Sequence, residues 1–353
     1  MSYLDLYTVN VYCIMIAVLL WAVSLRFYIK CLSLKAMYCI DLILVCVLSA
    51  VVASDVSTRP LNIEGDTLAY YQFYMDLLNG IIGPFDKAFV YLSKLLVYFE
   101  MTYVVLFWLV PFLLVASYFI LCKNLYSVSS LVPLLLVCSV VMFPFFFSLS
   151  ANVIRQGLAV VMITMCFSSL FNSKKGWAIS FFIVAVLFHK SAIIFAPFIV
   201  LNQFVLSIKL SRIIEVWALV SLASYFGLFA SLSNVVFSQL SLLGLSSNYT
   251  DLEDTQYITG FRWDFWFFSS FPVVCLCFDS KVDNSANLKK LFFMKVLAFI
   301  GIIHIALLCV AYNDRFGLYG WFYYPILISF IFSAIVANLI RGFRKRQHIA
   351  TLD

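Results

Sequence analysis

The sequence predicts an all-α polytopic membrane protein, because 64% of its 353 residues are hydrophobic, only 11% are charged, and apolar runs recur from near the N-terminus to Leu339. There is too little polar surface to coat a water-soluble globule of this length, so lipid must solvate most of it. The runs are too evenly spread for one anchor carrying a soluble domain. The whole chain, 1–353, therefore reads as a single integral-membrane domain with larger loops at about 54–101 and 233–261. The first run has neither a basic leader nor a small-residue cleavage site, and is expected to stay as a helix.

Placement of Lys and Arg then divides the runs into spans, since basic residues mark the cytoplasmic side. Clusters at Arg26, Lys30 and Lys35, at Lys123, at Lys174 and Lys175, at Lys209 and Arg212, at Lys281, Lys289, Lys290 and Lys295, and at Arg341, Arg344, Lys345 and Arg346 hold 16 of the 23 basic residues. Alternation between them predicts about eleven spans, at approximately 7–25, 36–54, 102–122, 127–147, 151–171, 176–189, 191–207, 213–232, 262–278, 291–311 and 317–340. As one helix, Trp177 to Ser207 would be about 45 Å long against a hydrocarbon core of about 30 Å. Two short helices broken at His189, Lys190 and Ser191 keep the flanking basic residues in one compartment. Both larger loops then fall outside, the first carrying a surface-lying amphipathic helix from Phe85 to Phe99 and the second the acidic run Asp251, Glu253 and Asp254.

Ten cysteines sit in apolar segments or at cytoplasmic ends, which predicts buried or reduced thiols and no disulfide framework. Cys275 and Cys277 lack the spacing and companions of a zinc site. No HExxH, DxD or phosphate-binding loop is present, so neither a metal nor another cofactor is predicted, and the net charge of +6 is a topology signal, with no nucleic acid implied.

Charges within a bilayer cost about 2.5–3.5 kcal/mol even on the lenient insertion scale, which makes each one a candidate functional residue. Asn152, Arg155, Gln156 and Ala159 recur at helical spacing and predict one polar or small stripe. His189 ends the next ascending helix, Asn313, Asp314 and Arg315 lie at the turn between the last two spans, and Asp66 lies in the first loop, one turn before Tyr70. All fall on the non-cytoplasmic side of the predicted topology. Each also has a plainer reading: Arg155 snorkelling to the interface or pairing with a structural carboxylate, Arg315 with Asp314, His189 capping a helix, His304 as a core histidine. Tyr70, Tyr71 and Tyr74, like Trp321, Tyr323 and Tyr324, read as an interfacial aromatic belt.

Arginines at a membrane margin suit bidentate binding of a diphosphate and stabilisation of a departing lipid pyrophosphate. Arg155 and Arg315, with Gln156 beside the first, are the pyrophosphate candidates. Asp66 or His189 suits the base that deprotonates an attacking hydroxyl. Tyr70, Asn152, Arg262, Asn313 and Asp314 are candidate substrate contacts.

Four pieces, Glu64-Gly-Asp-Thr-Leu-Ala-Tyr70, Asn152-Val-Ile-Arg-Gln-Gly-Leu-Ala159, Phe188-His-Lys-Ser-Ala192 and Asn313-Asp-Arg-Phe316, together resemble the EpsG-like branch of the Wzy-type O-antigen and polysaccharide polymerases. The resemblance implies a multi-pass protein of the bacterial inner membrane with a metal-independent glycosyltransferase site facing the periplasm. It further implies undecaprenyl-diphosphate-linked oligosaccharides as substrates and a chain-length regulator as partner. An O-antigen ligase shares the donor, and a lipid-linked oligosaccharide flippase shares the ligand, but a flippase is expected to place charge near the midplane and to show repeat symmetry.

Overall fold

The computed structural model describes residues 9–28, 33–62, 65–126, 130–230, 259–279 and 288–335, and every regular element among them is helical. The acidic run of the second expected loop and the basic tail from Arg341 lie outside the described residues. Two compact units divide the chain, Met1–Ile199 and Val200–Asp353.

The first unit opens with α1 (Val9–Tyr28) and α2 (Leu34–Ser57), whose N-cap Ser33 accepts a hydrogen bond from the Ala36 amide at 3.2 Å. Helices α3 (Thr67–Leu78) and α4 (Lys87–Tyr98) fill the first expected loop, and α5 (Tyr103–Leu125) packs between α2 and the later α8. Helix α4 is not simply amphipathic. Phe89 and Leu96 are buried while Tyr91, Leu95, Tyr98 and Phe99 are exposed, so both faces are apolar. Asp41 of α2 and Lys123 of α5 form a 2.6 Å ion pair whose side chains are 1% and 5% exposed. Lys123 is therefore a packed residue of the bundle as well as a basic marker.

Helix α6 (Val132–Val141) ends early because Pro144 cannot continue it: the ring would clash with the carbonyl four residues back. The axis turns by 67° into α7 (Pro144–Phe147) and a π-helical turn over Ser148–Asn152. Helix α8 (Ile154–Phe171) starts only after Val153, whose φ of −105° and ψ of 60° interrupt the helical path. This corrects the predicted stripe, since Asn152 belongs to the π turn and does not share the α8 face with Arg155, Gln156 and Ala159. Gly157 lets α8 approach that turn, as a Cβ there would lie 2.2 Å from the Leu149 carbonyl oxygen.

Helix α9 (Lys175–Phe188) returns antiparallel to α8 and stops at His189, whose φ of −156° and ψ of 116° are extended. A 3₁₀ turn (Lys190–Phe195) and α10 (Ala196–Val200) follow. Phe195 lies 5.9 Å, ring to ring, from Phe167 near the C-terminal end of α8. Had the chain continued beyond His189, helical rise would have carried Phe195 some 30 Å away. The segment therefore turns back at His189.

Among the described residues, the second unit contains α11 (Asn202–Ser207), α12 (Leu210–Tyr225), α13 (Trp263–Asp279), α14 (Leu288–Ala306), α15 (Asp314–Trp321) and α16 (Tyr324–Ile335). Gly301 brings α14 onto α13, because a Cβ there would lie 2.1 Å from the Ser269 carbonyl oxygen. Lys295 donates to the carbonyls of Leu206 and Ile208 at 2.6 Å each and so completes the end of α11. In the interior, Trp321 Nε1 donates to Ser269 Oγ at 3.2 Å, and Ser269 Oγ lies 2.6 Å from His304 Nδ1. Tyr324 donates its hydroxyl to the Phe268 carbonyl.

Most of the supposed aromatic belt is therefore core. Tyr70, Tyr74, Trp321, Tyr323 and Tyr324 are all buried, and Tyr74, Trp321 and Tyr324 satisfy their polar ends inside the protein, where packing outweighs the preference for an interface.

By length and composition, α2, α5 and α8 are each able to cross a membrane, and the bent pairs α6 with Pro144–Asn152 and α15 with α16 are long and apolar enough only when taken together, as broken spans or re-entrant loops. Val11–Ser24, Lys175–Phe188, Lys190–Val200 and Trp263–Phe278 are shorter apolar helices. The chain is a polytopic helical membrane protein.

Candidate functional site

Two of the four sequence pieces meet in the first unit. The Asp66 amide donates to Asn152 Oδ1 at 2.9 Å, and Gly65 presses its α-carbon against the same side chain. Only glycine fits: φ at Gly65 is +107°, and a Cβ would stand 1.9 Å from Asn152 Oδ1. Asp66 then opens α3, its carbonyl accepting from the Tyr70 amide at 3.0 Å.

Arg59 supports this junction from below, a role the sequence did not assign it. Its buried guanidinium donates to Thr67 Oγ1 (3.2 Å), the Val56 carbonyl (2.9 Å) and the Ala151 carbonyl (2.9 Å), and it lies 4.2 Å above the Phe107 ring. Thr67 Oγ1 also donates to Ala151 at 3.1 Å. Burial draws the Arg59 pKa down to about 10, still far above neutrality, so the cation persists. One arginine thus ties the end of α2, the start of α3 and the π turn together.

Arg155, in the first turn of α8, meets Asp86 through Nη1–Oδ2 at 2.5 Å. Its guanidinium lies 4.7 Å from the centroid of the Phe85 ring and also hydrogen-bonds the Tyr70 side chain. Tyr70 sits between Phe85 (5.7 Å) and Phe89 (5.5 Å). The pair stays accessible, at 19% and 10% side-chain exposure. Asp86 escaped sequence reading because it lies 69 residues from Arg155; the preceding Gly83-Pro84 turn was its only local signal.

His189 reaches the same end of the unit, since α8 and α9 are antiparallel and joined at their far ends. Its Nδ1 lies 2.5 Å from Ser191 Oγ. If Nδ1 carries the proton and donates to Ser191, Nε2 keeps the lone pair that a general base needs. Gln156, by contrast, is fully buried and is not presented with Arg155.

The remaining candidates belong to the second unit. Asn313 is fully buried and donates its amide to the carbonyls of Leu308 and Val310 at 2.9 Å each, so it shapes the turn before α15. The Gly260 amide donates to the same Leu308 carbonyl at 3.1 Å, which brings the segment carrying Arg262 to that turn. Arg262 grips Asp264 with Nε–Oδ1 at 3.2 Å and Nη2–Oδ2 at 2.5 Å, over the Phe265 ring at 3.7 Å. Arg315, next to the half-buried Asp314, lies 4.7 Å from the Tyr312 ring. Beside Arg262, Tyr225, Phe261 and Trp263 form an aromatic cluster with centroids 5.1–5.9 Å apart. Among the described residues no three His, Cys, Asp or Glu side chains gather as a metal site requires.

Comparison with curated proteins and with solved structures gives no match. Comparison with protein families does, and its span takes in all four sequence pieces as well as Arg59, Asp86 and Arg262. Over residues 42–347, most of its length, the chain matches the EpsG family, and it belongs to that family.

Proposed function

We propose that the protein is a polysaccharide polymerase that transfers a growing undecaprenyl-diphosphate-linked glycan onto a lipid-linked repeat unit at the periplasmic face of a bacterial inner membrane. EpsG family membership supports a polymerase-like role. The observation that carries the finer reading is the junction at one end of the first unit, where Asp66, Asn152, Tyr70 and the accessible Arg155 come from two distant sequence pieces. In the reaction, the acceptor hydroxyl oxygen bonds to the anomeric carbon of the donor glycan as the bond from that carbon to the diphosphate breaks. Undecaprenyl diphosphate leaves with the electron pair, and the hydroxyl proton passes to Asp66 or His189. Arg155 neutralises the charge developing on the diphosphate. The full set of about eleven spans, the periplasmic orientation and a chain-length regulator as partner are parts of the same proposal.

Replacing Arg155 by Ala in the producing strain tests it. Loss of one such charge stabiliser should slow turnover by about 100-fold or more. Long glycan ladders on a gel should collapse to single repeat units attached to the lipid core. Unchanged ladders would refute the assignment of Arg155, and bare core instead of single units would move the protein to ligation or transport.

A further inference from the structure

Asp86 occupies a position with two uses. It is the N-cap residue of α4, with the extended φ of −60° and ψ of 142° that capping requires, yet its side chain caps nothing. The carboxylate turns instead to Arg155, and the Ala88 and Phe89 amides that a capped helix satisfies receive no side-chain acceptor from it. On the other side, Arg155 keeps a donor to spare even with its hydrogen bond to Tyr70. Asp86 engages it through Nη1 alone, whereas Asp264 takes both Nε and Nη2 of Arg262. Arg155 Nε is buried without a hydrogen-bond partner. Phe85 covers one face of the guanidinium, which leaves its in-plane N–H groups to decide what binds. The pair is also open in a way the sealed Lys123–Asp41 pair is not, at 19% and 10% exposure against 5% and 1%.

We propose that Asp86 is a displaceable counter-ion that positions Arg155: a diphosphate takes the guanidinium fork, and the Asp86 carboxylate rotates about χ1 onto the N-terminus of α4. The exchange leaves no charge stranded. A diphosphate oxygen pair reaches Nε and Nη together, which a single carboxylate oxygen does not, and the released Asp86 meets N–H groups at the positive end of a helix dipole. Because the backbone at Asp86 is already in capping geometry, only the side chain moves. The proposal rests on Arg155 being the diphosphate-binding residue of the polymerase reading.

The test is titration of the purified full-length protein in lipid nanodiscs with inorganic pyrophosphate, followed by calorimetry. Asp86→Asn removes the competing charge while keeping a good cap, and should bind pyrophosphate roughly tenfold more tightly than wild type. Asp86→Ser, a smaller cap, should do the same, and Arg155→Gln should not bind. In hydrogen exchange, pyrophosphate should raise protection at Ala88 and Phe89 in the wild type and not in Asp86→Ala, an effect that a merely structural ion pair does not produce. Equal or weaker binding in both Asp86→Asn and Asp86→Ser, or no binding by the wild type, overturns the proposal. Glycan ladders keep the two ideas separable: ladders from the wild type with no effect at Asp86 sink the counter-ion and spare the polymerase. Tightened binding without ladders does the reverse.

Discussion

Replacing Gly65 by Ala perturbs the junction of the two sequence pieces at its tightest point. An L side chain at a φ of +107° costs about 1–3 kcal/mol in backbone strain. The new Cβ would also stand 1.9 Å from Asn152 Oδ1, so Asn152 must withdraw by more than an ångström. That movement breaks the 2.9 Å bond from the Asp66 amide, a further loss of about 0.5–1.5 kcal/mol. Together these raise the free energy of the closed junction by about 2–4 kcal/mol, which corresponds to roughly 30- to 1000-fold faster amide exchange across 65–70. Hydrogen exchange read by mass spectrometry on the purified protein measures it directly. A double-mutant cycle isolates the clash: with Asn152→Ala already present, Gly65→Ala should cost only the backbone part. An equal cost in both backgrounds would show that Asn152 is not what holds Gly65 to glycine. No effect in either would refute the junction itself.

The buried pair of Asp41 and Lys123 predicts an asymmetry, because breaking it strands a charge in an apolar bundle. Lys123→Ala alone should destabilise by about 3–5 kcal/mol, while Asp41→Leu with Lys123→Met should recover most of that loss, in thermal unfolding followed by a thiol-reactive dye. Gly301→Ala should push α14 off α13 against the Ser269 carbonyl and lower stability by about 1–3 kcal/mol or more, with a matching fall in apparent Tm; an unshifted Tm would mean that the helices separate freely.

The helices were legible because apolar runs bounded by basic residues leave few alternatives, and the break at His189 followed from the length of the run together with the basic residues at both its ends. Partnership was not legible. Arg59 and Asp86 gain their meaning from residues 92 and 69 positions away, and nothing in their own neighbourhoods announces it. Pro144 was visible as a residue, but the 67° bend and the π turn that detach Asn152 from the α8 face depend on how Leu149 and Gly157 pack. The aromatic belt failed for a related reason. Tyr323 and Trp321 have the composition of an interface, and only packing within the second unit shows that they are covered by protein.

Charge inside a hydrophobic chain is a poor guide to function until its satisfaction is known. Lys123 is sealed against Asp41, and Lys295 gives its ammonium protons to the Leu206 and Ile208 carbonyls. Arg59 is held by three acceptors that also fix two chain turns. All three are cations in an apolar setting, and in each the protein itself supplies the counter-groups, so no ligand is needed to explain them. Arg155 differs in combining partial exposure, a single carboxylate contact and a buried unpartnered Nε. A guanidinium left with donors to offer, at the edge of a bundle and beside the Asp66–Asn152 junction, is one whose remaining valences an incoming anion can complete. That incompleteness, rather than the presence of an intramembrane arginine, is what sets Arg155 apart from Lys123, Lys295 and Arg59.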